Sequence, residues 1–133
     1  VLPLAGLHLL LAEDNELNSE IATTLLEEQG ASITAVENGR LALEAIQNAA
    51  PRTYDAILMD VMMPEMNGLE ATRCIRAFEG KGPGEGTPII AMTANVFADD
   101  VKACLDAGMN SHVGKPLDMK VLIGEILKYT DAR

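Results

Sequence analysis

The chain has 133 residues, of which 48% are hydrophobic, 23% charged and only 3% aromatic, with no tryptophan. That length and balance describe one globular domain with an aliphatic, methionine-rich core, and exclude a disordered chain. Twenty acidic residues against ten basic ones give a net charge of -10. This argues against direct nucleic-acid binding, which needs a basic footprint, and suits a divalent cation or a basic protein partner.

Taken in chain order, short apolar runs alternate with stretches of helical spacing. The opening "VLPLAGLHLLLAEDN" is too short in its apolar part, and wrongly flanked, for a signal peptide. It holds the first expected strand, over residues 8–12. A helix is expected over 16–29, with Leu17, Ile21 and Leu25 as its apolar stripe and Gly30 as its stop. A strand over 32–36 follows, then a helix over 39–49 carrying Leu41, Ala42, Ala45 and Ile46 and ended by Pro51. The third strand is expected over 56–59 and the third helix over 69–78, with Leu69, Thr72, Ile75 and Arg76 on one line. "EGKGPGEGTP", residues 79–88, is the one Gly/Pro-rich segment. It leads into a strand rather than a helix, which is the wrong context for a phosphate-binding glycine loop, so a flexible surface loop is expected there. A strand over 88–92, a helix over 98–107 closed by Gly108, a strand over 112–114 and a helix over 118–129 complete the chain. Five strands alternating with five helices mean βα units, a parallel sheet and a small doubly wound α/β domain. No apolar stretch approaches the ~20 residues of a membrane span. Cys74 and Cys104 fall in helical patterns without a CxxC pair, which reads as two buried, reduced thiols in a cytoplasmic domain.

In open parallel sheets, ligands bind outside the carboxyl ends of the strands. The residues just past the apolar runs are Glu13-Asp14-Asn15, Asp60, Thr93-Ala94-Asn95 and Lys115-Pro116. Only the second strand, ending near Glu37-Asn38, offers nothing obviously chemical. Three carboxylates gathered at neighbouring strand ends repel one another, and a hard divalent cation such as Mg²⁺ removes that cost. The Thr93 hydroxyl and the Lys115 ammonium then complete a site for a phosphoryl group. Within such a site a carboxylate can itself be the nucleophile. Asp60 is the candidate, because the vicinal pair Glu13-Asp14 suits the metal better. Each signal has a plainer reading: Glu13-Asp14 as a helix cap, Thr93 as a satisfied strand-end hydroxyl, Lys115 as a surface lysine. Their ordered recurrence at four of five strand ends carries the argument.

The combination resembles the receiver domain of two-component signalling, the phospho-accepting module of response regulators and hybrid histidine kinases. The residues that carry the resemblance are Glu13-Asp14, "LMDVMMPEMNG", "PIIAMTAN" and "GKP", and it covers the chain from about Leu7 to Leu127. It implies a flavodoxin-like (βα)5 domain with strand order 2-1-3-4-5, forming one receiver domain over 1–133 with its core at about 7–129. It implies that Asp60 accepts a phosphoryl group from a phosphohistidine. Asp14 and Asp60 would ligate Mg²⁺ directly, Glu13 through a water, and Met62 through its backbone carbonyl. Thr93 and Lys115 would bind the phosphoryl oxygens, and the aspartyl phosphate would be lost by self-dephosphorylation. The implied partners are a histidine kinase or a histidine phosphotransfer protein.

"EDNELN" and "TPIIAMTANVFADDVKACLDAGMN" are most similar to receivers attached to hybrid sensor kinases. The start at Val1 and end at Arg133 fit a module excised from such a chain, with any membrane anchor elsewhere in the parent. A stand-alone response regulator and a docking domain without phosphotransfer are the alternatives. A phosphatase with an aspartate nucleophile needs a second acid two residues on, where this chain has Met62. The crowd of Met59, Met62, Met63 and Met66 reads as packing rather than a metal site. His112 stands where many members of that family carry Tyr or Phe, which puts an aromatic readout in doubt. Lys115-Pro116 is expected to be cis on the strength of the resemblance.

Overall fold

The structure is a computed structural model that describes residues 2–94 and 97–130. Ten elements alternate along the chain: β1 (His8–Ala12), α1 (Glu16–Glu28), β2 (Ser32–Val36), α2 (Gly39–Gln47) and β3 (Ala56–Asp60), then α3 (Gly68–Glu79), β4 (Ile89–Thr93), α4 (Ala98–Ala107), β5 (Ser111–Gly114) and α5 (Met119–Thr130). Each lies within two residues of the span expected from the sequence. α2 stops at Gln47 because the chain must leave helical geometry ahead of Pro51.

All strand pairs are parallel, in the order β2-β1-β3-β4-β5. The period-2 alternation of the strands divides the apolar residues between two cores. Leu9, Leu11, Leu58, Met92 and Val113 pack towards Ala22, Leu26, Leu122 and Ile126 of α1 and α5. Leu10, Ile57, Met59 and Ala91 pack with Ala42, Ala71, Ile75 and Cys104 of the helices on the other face. Each large aliphatic side chain buried this way contributes about 1.5–3 kcal/mol. Fully apolar central strands are what a sheet covered on both faces requires.

Two expectations are corrected. The stripe of α1 is not Leu17-Ile21-Leu25: Leu17 and Ile21 keep 63% and 50% of their surface, and Ala22 and Leu26 are the buried residues. The helix carries two adjacent apolar lines, and the one with the small Ala22 faces the sheet. The segment 79–88 is not simply a loose loop. Residues 80–85 are exposed, but Gly86 and Thr87 are buried. Glu79 accepts from the Thr87 amide (3.1 Å) and hydroxyl (2.6 Å), and Asn110 Nδ2 donates to Pro83 O (2.6 Å). Behind them Arg76, itself buried, donates to Thr87 O, Gly108 O and Asn110 Oδ1 at 2.8–2.9 Å and pairs with Glu79 at 3.0 Å. Of the two free thiols Cys104 is buried and Cys74 only half-buried. Among the methionines, Met59 is buried, Met63 and Met66 pack against the core, and Met62 faces solvent.

Candidate functional site

Strand order reverses between β1 and β3, and the crevice at their carboxyl ends is where the acidic residues meet. The ladders run one residue past the strands here: Glu13 N donates to Val36 O (3.1 Å) and Lys115 N to Thr93 O (2.9 Å). Alternation therefore continues through the strand ends. Glu13, Asp60 and Lys115 share the parity of Leu11, Leu58 and Val113, so all three point to the α1/α5 side of the sheet. Thr93, of opposite parity, stands at the same edge and is buried.

Carboxylate oxygens of Glu13, Asp14 and Asp60 lie within 4.8 Å of one another. Lys115 Nζ bridges two of them, 3.1 Å from Glu13 Oε1 and 3.1 Å from Asp60 Oδ2. The Glu13 and Asp60 side chains keep only 3% and 7% of their surface, Lys115 keeps 26%, and Asp14 is open to solvent. Burial by itself lowers the Lys115 pKa, but the contacts with Glu13 and Asp60 outweigh that and hold it above the ordinary lysine value. Backbone donors serve the remaining oxygens: Asn15 N reaches Glu13 Oε2 (3.2 Å) and Met62 N reaches Asp60 Oδ1 (3.3 Å).

Three carboxylates against one ammonium leave the cluster two charges negative. An all-oxygen, net-negative group with one solvent-facing member fits a hard divalent cation that keeps several waters. Among the described residues, the carboxylates able to hold it are those of Glu13, Asp14 and Asp60. The same oxygens suit neither a soft metal nor a thiolate-type site.

Local sequence places these groups. Asn15, Asn38 and Asn67 cap α1, α2 and α3, each accepting from the amide three residues on at 2.8–2.9 Å. Asn15, rather than Glu13 or Asp14, is the cap of α1, which leaves both acids for the cluster. Gly68 opens α3 where a Cβ would stand 2.4 Å from Asp60 O, so only glycine lets α3 pack beneath the acid. α2 starts at Gly39 as expected, and Asn38, which as a strand end looked chemically empty, is its cap. The Lys115–Pro116 peptide is cis, as expected. His112 is half-buried on β5. Asn95 lies outside the described residues, as do Val1 and Arg133.

A family model described as "Response regulator receiver domain" matches residues 9–127. "Probable histidine kinase 1" of Oryza sativa subsp. indica is 41% identical over 84% of this chain, and "Sensor protein GacS" of Pseudomonas syringae pv. syringae is 40% identical over 91%. The chain spans only 14% and 13% of those proteins' lengths. Among solved structures, the receiver domain of a sensor histidine kinase from Pseudomonas aeruginosa, with a magnesium ion coordinated in its active site cleft, superposes with a TM-score of 0.82 at 37% identity, covering 96% of this chain and 99% of that one. A Saccharomyces cerevisiae response-regulator receiver domain, crystallised with a histidine phosphotransfer signalling protein, gives a TM-score of 0.84 at 26% identity over 94% of this chain and 89% of that one. Sheet order, the gathering of acids at the reversal point and the match across 119 of 133 residues (9 to 127 inclusive) agree: this chain belongs to the response regulator receiver domains of two-component signalling, and is homologous to those carried by hybrid histidine kinases.

Proposed function

We propose that Asp60 accepts a phosphoryl group from a phosphohistidine. The observation that carries this reading is the position of its carboxylate: buried, 3.1 Å from the Lys115 ammonium, within 4.8 Å of two further acids and open on the side of Asp14. An Asp60 oxygen would attack phosphorus as the N–P bond breaks, and the imidazole would leave with its electron pair and take up a proton. Mg²⁺ bound by Asp14, Asp60, the Met62 carbonyl and, through water, Glu13 would offset charge on the transferring group. Thr93 and Lys115 would bind its peripheral oxygens, so that Lys115 exchanges carboxylate partners for phosphoryl ones.

The unexpected exposure of Leu17 and Ile21 supports a protein as the donor or acceptor. Ile21, with Leu25 and Leu117, lines a groove of about 530 Å³ that reaches Glu13 and Lys115, and Leu17 is exposed one turn before it on the same helix. A helical histidine-bearing partner resting there would bring its imidazole to the acidic end of the sheet. The yeast receiver domain crystallised with a histidine phosphotransfer protein is the precedent for that kind of partner. The partner that fits this reading presents an apolar helical face next to a phosphorylatable histidine.

The test is labelling with a small acyl phosphate donor in the presence and absence of Mg²⁺. Wild-type chain should take up label only with the metal, and Asp60→Asn should take up none while keeping its circular dichroism. Equal labelling of Asp60→Asn would refute the assignment. Ile21→Glu should keep labelling from the small donor and lose it from a phosphohistidine protein.

A further inference from the structure

We propose that Asn38, Gly39 and Arg40, at the entry to α2, form a clamp that positions the β3–α3 loop and through it the Met62 end of the acidic site. The inference rests on the phospho-acceptor reading above and adds a set of positioning residues to it. β2 ends without a group that reaches the cluster, yet the start of α2 is fastened to Glu65 and Met66 of the loop. Gly39 N donates to Met66 O at 2.9 Å. A Cβ at Gly39 would lie 2.3 Å from that oxygen and 2.9 Å from both Asn67 O and the Ala71 Cβ. The requirement is for space, because Gly39 is not among the residues of positive φ.

Glu65 supplies the second fastening. Its φ is +65°, a conformation that side-chain-bearing residues avoid. An outlier of this kind persists where its surroundings over-determine it. Here Arg40 Nε holds the Glu65 carboxylate at 3.1 Å and Asn38 Nδ2 reaches the same oxygen at 3.4 Å. Arg40 is aimed by its other bond, 2.7 Å to Glu44 one turn further along α2. Asn38 uses its amide oxygen to cap α2, which turns its nitrogen towards Glu65. The loop is thus tethered at both ends. One end is at Asp60, where Met62 N meets Oδ1, and the other is at the clamp. Loosening the clamp would free the backbone at Met62, whose carbonyl would help to hold the ion, while Glu13 and Asp60 stay at the strand ends.

Mg²⁺ affinity of the unphosphorylated chain, measured by calorimetry, reads this directly. Arg40→Ala and Glu65→Ala should each weaken binding by about two- to five-fold, the scale of an exposed ion pair. The double variant should be no weaker than the worse single one, because both remove the same tether. Amide resonances of residues 61–67 should shift in both, and labelling should recover towards wild type as Mg²⁺ is raised to saturation. Lys102→Ala removes an exposed pair with Asp106 on α4 and should change nothing. Gly39→Ala should weaken Mg²⁺ binding by roughly tenfold or more, since about 1 Å of displacement is ruinous to a preorganised site. Should Gly39→Ala fail to fold, the Arg40 and Glu65 pair decides alone. Wild-type affinity in both single variants, or additive losses in the double, overturns the clamp and leaves the phospho-acceptor reading intact. A wild-type chain that neither binds Mg²⁺ nor labels overturns both.

Discussion

Replacing Lys115 by methionine keeps an unbranched side chain one atom shorter and removes its charge, leaving Glu13 and Asp60 buried beside each other without a cation. At 3.1 Å each contact contributes on the order of 5 kcal/mol of gross attraction at an effective dielectric of ~20. The net value is far smaller, because the ammonium and two carboxylates all lose water, and the 26% of Lys115 still exposed admits screening. Breaking a fully buried pair costs about 3–5 kcal/mol, so this half-open one should cost about 1–3 kcal/mol. For a chain of this size that is a fall of roughly 4–12 °C in Tm. The raised Lys115 pKa sets the sign in the wild type: its contribution is complete below the unfolded lysine pKa and is lost as pH rises through the higher folded value. The deficit of Lys115→Met should therefore be full at pH 7 and shrink only as pH rises through the folded lysine pKa, where the wild type loses the same charge. Urea unfolding in EDTA at pH 7 and at alkaline pH measures both effects, and Mg²⁺ should narrow the gap by supplying the missing positive charge. A Lys115→Met midpoint equal to wild type at pH 7 would refute the reasoning.

Gly68→Ala should destabilise the domain by about 1–3 kcal/mol, because its Cβ would enter the space of Asp60 O and the Met59 side chain, and should weaken labelling at Asp60 as well; urea unfolding and labelling read the two. Arg76→Ala strips Thr87 O, Gly108 O and Asn110 Oδ1 of a shared donor and unpairs Glu79, so a loss of about 3–5 kcal/mol is expected in urea, with faster amide exchange in residues 80–87. Burial, helped by Asp100, pushes the Cys104 thiol up, so iodoacetamide at pH 8 should modify Cys74 first and reach Cys104 at the rate of global or local opening, as peptide mass mapping would reveal.

The order of elements and the chemistry of the strand ends were legible in the sequence, because both are local. Apolar alternation marks where a parallel strand runs, and a polar residue straight after it marks where the chain leaves the core; Glu13, Asp60, Thr93 and Lys115 are found that way. The three-residue offset from Asn15, Asn38 and Asn67 to the amides they cap is equally local. Tertiary structure decided what periodicity leaves degenerate. α1 has two apolar lines, and only the space above the sheet selects Ala22 and Leu26 over Leu17 and Ile21, leaving the latter outside as a surface. The glycine-rich segment 79–88 has the composition of a loose loop, but Arg76 and Asn110 converge on it from other elements, and its own Glu79 accepts from Thr87, which fixes its end. The second strand's end looked chemically empty because its work is done on a loop 27 residues away, between Asn38 and Glu65. Lys115 reaches Glu13 across 102 residues and Asp60 across 55. The residue types announce that a charged site exists; that one ammonium bridges those two carboxylates is fixed only when right-handed crossovers bring β1, β3 and β5 to a common edge with their side chains in phase.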